Sequence, residues 1–274
     1  MKILSWGDLI SEATYTSHSS FEHVLNFNFN EKLVSLVDDK VGAGPLNIVV
    51  DAIEPIKILK ISGKDILIND EKFPKENIEK YDSEISEVPA SVFLEFFLEF
   101  IKVVKEKAEP QSCAFLLDAQ REENFKDSFG RNFVSQIKTG INDFLQGKFD
   151  DGTKKIRGLG FGLTPSGDDL LGGYLLGLSL SEKMTKKDFS KRKNIIFGNA
   201  LSKNLISNSF LFCYYKGRID SKLRDLIKVI NVGLVELIEA KTIKLIDVGH
   251  NSGSDTLTGI ILGIYGGLPQ DIRV

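Results

Sequence analysis

Cysteine is scarce in this chain of 274 residues. Cys113 and Cys213 are its two copies, and they form neither the paired framework of a secreted domain nor a zinc-knuckle spacing. Both read as ordinary buried thiols, and a reducing cytoplasm is the expected compartment. Histidine is nearly as rare, with His18, His23 and His250 too scattered for a histidine-rich metal site. Neither sign of charge dominates. A net charge of −3 and a pI near 5.8 give no global reason to expect nucleic acid or an anionic membrane as partner. Long apolar runs are missing too, since the longest, Leu170–Leu180, is broken by glycine and too short to span a bilayer. Near the start, Asp8 and Glu12 fall where a signal peptide needs apolar residues. What remains is 42% hydrophobic and 27% charged, the profile of a globular chain with room for one large domain or two modest ones.

The first part of the chain reads as short strands and turns. Phe27 and Phe29 alternate with asparagines and are followed across Asn30-Glu31 by LVSLV, a hairpin pattern. The turn VGAGP (41–45) precedes a strand at 47–50, and IKILKI (56–61) and DILI (65–68) flank Ser62-Gly63-Lys64 as a second hairpin. A small antiparallel sheet or barrel is expected over residues 1–85. The charged stretch 74–87 looks like a linker. From residue 86 to 274 the period becomes helical, with helices expected at 91–109, 121–148, 170–183, 187–205 and 221–241. Glu95, Glu99 and Lys102 mark the wet side of the first. The fold class is therefore α+β by segregation: a small β-rich domain, then a larger, mainly helical one.

Against this background one stretch stands out. GLGFGLTPSGDDLLGG (158–173) crowds six glycines, a Thr-Pro-Ser turn and two adjacent aspartates into sixteen residues. It also has an echo. SGDDLLGGYLLG (166–177) and SGSDTLTGIILG (252–263) share seven of twelve residues at an offset of 86, and each follows a glycine-flanked turn. Ser166 and Ser252 suit N-caps, with Asp169 and Asp255 three positions on, as in a capping box. Glycine inside a helix costs about 1 kcal/mol relative to alanine. Gly173/Gly177 and Gly259/Gly263, each spaced i, i+4, therefore point to two helices crossing backbone against backbone.

Such a crossing would bring both helix starts together as a pocket of unpaired N–H groups fringed by Asp168, Asp169 and Asp255, suited to a small anion. Gly160, Gly162, Thr164, Ser166, Gly167, Asn251, Ser252 and Gly253 are the expected contacts to substrate or anion. Asp168 and Asp169 are also the candidates to hold a magnesium ion, which would offset their repulsion of a phosphate. The loop is neither a dinucleotide fingerprint, because Leu163 stands where GxGxxG needs glycine, nor a P-loop, because Asp168-Asp169 replaces Lys-Ser/Thr. His250, two residues before the second helix start, can contact substrate or move a proton, or simply hydrogen-bond its loop. In ALSKNLISNSFLFCYYKGR (200–218), Ser202, Asn204, Ser207, Ser209 and Lys216 could line the same pocket or merely cap and solvate a helix.

GLGFGLTPSGDDLLGG together with GHNSGSDTLTG resembles the two signatures of the AllH family, G-L-G-P-G-L-T-P-S-G-D-D and G-H-T-S-G-x-D. Phe161 stands in place of the proline and Asn251 in place of the threonine, and VGAGPLNIVV is similar to a glycine-proline turn of that family. The resemblance implies a subunit of an oxamate carbamoyltransferase acting in allantoin breakdown. Its reaction joins oxalurate and phosphate to oxamate and carbamoyl phosphate in either direction, within a multi-subunit assembly. All these ligands are small anions. Asp168, Asp169, Asp255 and His250 would then be the catalytic set. Two rival readings stand beside this one: a stand-alone magnesium-dependent hydrolase using the paired aspartates, and a scaffold subunit whose glycine helices only pack.

Overall fold

The computed structural model describes residues 1–69, 71–160 and 162–268, in two compact units. The first comprises Met1–Glu84 with Arg218–Ser221, and the second Ile85–Gly217 with the chain from Lys222 onward. Strands β1 (Ile3–Gly7), β2 (Ala13–Phe21), β3 (Val24–Phe29), β4 (Lys32–Val37), β5 (Asn47–Val50), β6 (Leu59–Ile61), β7 (Asp65–Ile68), β8 (Glu71–Pro74) and β9 (Glu79–Tyr81) make up the sheet of the first unit. Their order is β8-β7-β6-β2-β3-β4-β5-β1-β9. The hairpin expected around Asn30-Glu31 is β3–β4, and both turn residues take positive φ, 45° and 60°, as a two-residue turn between twisted strands requires.

Two features of this unit depart from expectation. The sheet is mixed, because β4 pairs parallel with β5 and β1 parallel with β9. And the charged stretch 74–87 is not simply a linker. Most of it belongs to the sheet unit: a 3-10 turn at Lys75–Asn77 leads into β9, an edge strand with exposed charges and a buried Tyr81. Edge strands tolerate such charge, since one side of the ladder faces water. The Tyr81 hydroxyl donates to the Ile219 carbonyl at 3.0 Å, and Ser83 Oγ donates to Asp8 Oδ1 at 2.6 Å. Asp8 in turn accepts from Arg218 at 3.0 Å.

The second unit contains α1 (Ala90–Lys107), 3-10 turns at Cys113–Leu116 and Ala119–Asn124, α2 (Ser128–Leu145), α3 (Phe149–Ile156) and α4 (Ser166–Thr185). After these come α5 (Ser190–Ala200), α6 (Leu205–Tyr215), α7 (Ser221–Asn231), α8 (Val235–Ile246) and α9 (Ser252–Gly267). The single helix expected over 121–148 begins only at Ser128. Asp127 caps it there by accepting from the Gly130 amide at 2.6 Å, and a carboxylate in that position fixes a helix start. The one expected over 221–241 breaks at Gly233, whose φ of +69° no helix can accommodate. α1 buries Phe93, Phe97 and Phe100 and leaves Glu95, Glu99 and Lys102 wet, as its periodicity implies. α4 is the centre of the unit. Every residue from Ser166 to Ser181 is buried, including four leucines in an aromatic-rich core with Phe115, Phe133, Phe144 and Tyr174.

Candidate functional site

Two all-round buried helices can lie this close only if their shared face lacks side chains. A Cβ on Gly173 would sit 2.0 Å from the Thr256 carbonyl, and one on Gly177 would sit 2.3 Å from that of Ile260. The reverse contacts mirror these: a Cβ on Gly259 would meet the Leu170 carbonyl at 2.2 Å, and one on Gly263 the Tyr174 carbonyl at 2.3 Å. Every contact joins residues that advance together along both helices, so α4 and α9 run parallel and start at the same end. The two copies of the motif are therefore related by a local two-fold through the crossing. A second pair of glycines seats each helix against the one before it. A Cβ on Gly167 would lie 2.0 Å from the Ile156 carbonyl, and one on Gly253 would lie 1.9 Å from that of Leu245.

The helix starts differ from a capping box. Pro165 and Asn251 hold the cap positions, with no side-chain cap bond, and Ser166 and Ser252 are already the first helical residues. The serine side chains are used across the crossing instead. Ser252 lies against Asp169 and Ser166 against Asp255, each hydroxyl favouring the ionised form of the opposite carboxylate. Thr164 Oγ1 donates to Asp169 Oδ2 at 2.9 Å and lies 3.5 Å from Ser252 Oγ. The structure thus brings Thr164, Ser166, Asp169, Ser252 and Asp255 together.

Two of the amides expected at the helix starts have partners within the chain. The Gly167 amide donates to the Leu159 carbonyl at 2.9 Å and the Gly253 amide to that of Val248 at 3.0 Å. The preceding loops fold back over the helix starts and take these donors. That also accounts for much of the glycine run. Gly158, Gly160 and Gly162 all take positive φ, and a Cβ on Gly160 would lie 2.8 Å from the Ser166 Cβ. Phe161 lies outside the described residues.

Residues 156–264 match the family model of oxamate carbamoyltransferase subunit AllH. At the level of the family, the match is to a carbamoyltransferase subunit. It runs from the last residue of α3 into the last turns of α9 and so contains both glycine motifs. No curated protein and no solved structure matches the chain. Among the described residues no helix is long and apolar enough to cross a membrane.

Within residues 156–264 the electrostatics are dominated by burial. Asp168, Asp169 and Asp255 are 3%, 7% and 0% exposed, and desolvation disfavours the charged form of each. Asp255 is pushed up to about 7 by its burial, despite accepting from the Cys113 amide at 2.6 Å. Asp169 is raised well above the ordinary carboxylate range, first by burial and then by the neighbouring Asp255. Asp168 is raised by burial, against the Gly158 amide that donates to its Oδ1 at 2.7 Å, the Ser207 hydroxyl and Arg157. Ser207 faces Asp168 without completing a hydrogen bond, so Asp168 Oδ2 and Ser207 Oγ both lack a partner, as does Asp255 Oδ2. Burial likewise pushes the Cys113 thiol well up, keeping it neutral.

Magnesium fits these residues poorly. Asp168 is aimed at the Gly158 side and Asp169 at Thr164 and Ser252, so the adjacent carboxylates do not converge. Among the described residues, no three or more His, Cys, Asp or Glu side chains are grouped to hold a metal ion. His250 stands exposed at the second corner, its Nδ1 2.9 Å from Asn251 Oδ1. Asn251 Nδ2 donates to the Gln111 carbonyl at 3.1 Å.

Sequence reasoning missed the turn at 109–113. It supplies the Cys113 amide to Asp255, while the Glu109 amide donates to Ser254 Oγ at 2.9 Å. No local motif marks it, because its role arises from a contact spanning more than a hundred residues. Of the polar residues in 200–218, two reach the site loop. Asn204 caps α6 and donates to the Leu163 carbonyl at 2.7 Å, and Ser207 faces Asp168. Ser209 bonds its own helix, and Lys216 lies over Phe212 and Tyr215.

Proposed function

We propose that this chain is a subunit of a cytoplasmic oxamate carbamoyltransferase-type enzyme, and that it holds a small anion at the shared mouth of α4 and α9. The single observation carrying this reading is the convergence of two duplicated Ser-Gly-x-Asp corners, with Ser166 against Asp255 and Ser252 against Asp169. Two parallel helix starts place their positive dipole ends side by side, which favours an anion. Carboxylates would ordinarily oppose one, but burial favours the protonated form of each, and a protonated carboxyl is a donor. Thr164 and Ser252 add hydroxyls at the part-exposed rim, with Asn251 and His250 beside them. Gly160 and Gly162 shape the loop that carries Thr164.

In the transfer direction, the oxamate nitrogen attacks the carbamoyl carbon of carbamoyl phosphate. The new C–N bond forms as the C–O bond to phosphate breaks, giving oxalurate and phosphate. Fixed donors around the anions stabilise charge as it moves onto phosphate, an effect worth a few kcal/mol per well-placed donor. The other subunits of the assembly complete the site.

The test is phosphate-dependent breakdown of oxalurate by the assembled complex, with wild-type chain or with Ser166→Ala. The expected result is at least a tenfold loss with assembly and folding intact. An unchanged rate would leave the scaffold reading in its place.

A further inference from the structure

We propose that Asp169 and Asp255 hold one proton between them and work as a single acid–base pair, with Asp169 touching substrate and Asp255 acting through it. The proposal rests on the preceding reading for its substrate, but the shared proton itself follows from geometry. The two residues occupy the same position of the two motif copies, on the first turns of helices whose backbones touch. Each faces a hydroxyl from the opposite helix.

Among the described residues, the groups acting on the pair include no cation. From α4 come Asp168 and the Ser166 hydroxyl, which faces Asp255, from the loop before it the Thr164 hydroxyl, and from α9 the Ser252 hydroxyl. The turn at 113 offers only the Cys113 amide and a neutral thiol. Arg157 acts on Asp168, not on the pair. Asp255 is wholly buried and its Oδ2 has no hydrogen-bond partner. Two ionised carboxylates cannot persist together in such surroundings, and retaining a proton costs far less than burying both charges. Asp255 Oδ2 is the atom left for that proton.

Asp169 is the slightly exposed member, bound to the rim hydroxyl of Thr164, so it is the one within reach of a ligand. As the C–N bond forms, the pair accepts the N–H proton lost by the amide. As the C–O bond breaks, it delivers the proton it held to the departing phosphate oxygen. The pair begins and ends with one proton, so no co-reactant beyond the two substrates is needed. Asp255 is a positioning residue in this scheme: it keeps the proton available and prevents Asp169 from ionising alone.

Infrared spectra of the full chain, titrated from acid to alkaline pH, test this directly. A carboxylic acid C=O band should persist at neutral pH in wild type, titrate away at a lower pH in Asp255→Asn, where burial alone holds the remaining proton, and survive in Asp168→Asn. Absence of the band from neutral wild type, or an unmoved midpoint in Asp255→Asn, overturns the shared proton. Calorimetry with oxamate, a fixed monoanion, provides the second arm. Wild-type affinity should fall at least tenfold as pH rises through the band's loss, and in Asp255→Asn the same fall should come at lower pH, following that variant's own band. A band without oxamate binding at any pH would leave the shared proton standing and remove the anion reading. Pair-independent binding without the band would do the reverse.

Discussion

The two motif copies invite comparison, because they share one plan and differ in a few places. Both begin a glycine-backed helix with serine, glycine and a buried aspartate, and both tie the glycine amide to a carbonyl of the preceding loop. The connection before α4 is Arg157–Pro165, with three glycines of positive φ, while that before α9 is the shorter Asp247–Asn251, with one. At matched positions the first copy has Thr164, Pro165 and Asp168, and the second has His250, Asn251 and Ser254. Thr164 turns inward to Asp169, whereas His250 stays in water beside Asn251. The shared part builds the crossing and the carboxyl pair. The unshared part makes one rim a hydroxyl held against Asp169 and the other an exposed imidazole.

That comparison can be broken most severely at the crossing. Gly173→Val and Gly259→Val should each cost about 3 kcal/mol or more, read by denaturant unfolding, because the new side chain meets a carbonyl at 2.0 or 2.2 Å. If one copy tolerated valine and the other did not, the two-fold would hold in sequence only. Next in size is chemistry. Asp169→Ala should lower the activity of the assembled enzyme at least tenfold, about 1.4 kcal/mol in barrier, and a circular dichroism melt should show the fold kept.

The pH dependence of stability offers a third handle. Asp255 is raised in the folded state to about 7, so the folded protein binds more protons than the unfolded chain between the ordinary carboxylate range and neutrality. Its contribution is present in full below that range and lost as pH rises to about 7. Asp255→Asn should therefore flatten the fall in melting temperature across that window and melt higher than wild type at mildly alkaline pH. A smaller effect falls on the second rim: His250→Ala should reduce turnover of the assembled enzyme several-fold, less than Asp169→Ala, in the same assay. Smallest is Gly198→Ala, in α5, where a Cβ meets nothing within 4 Å. It should stabilise by about 0.5–1 kcal/mol, in contrast to the glycines of the crossing.

The crossing was legible in the sequence because a glycine pair at i, i+4 has few other uses inside a helix, and because the motif appears twice. The α+β division was legible from the change of period near residue 86. Capping was misread for a physical reason: Ser166 follows a proline that already holds the cap position, which frees its hydroxyl for the other helix. The loop glycines looked like ligand contacts, but positive φ at Gly158, Gly160 and Gly162 serves the fold first. Parallel pairing of β1 with β9 and the part played by Cys113 depend on contacts between distant stretches, which local pattern cannot register. The charged residues of 74–87 resembled a linker because an edge strand may be as polar as one.

The short stretch Arg218–Ser221 belongs to the sheet unit, although the helices on either side of it belong to the other. Cutting the gene near residue 85 would accordingly yield no self-sufficient halves. The leading fragment would lose the Ile219 carbonyl that accepts from the Tyr81 hydroxyl and the Arg218 guanidinium that donates to Asp8. The sheet unit therefore gains its last four residues only after most of the helical unit has been synthesised, and any transplant of this unit into another protein must carry those four residues with it.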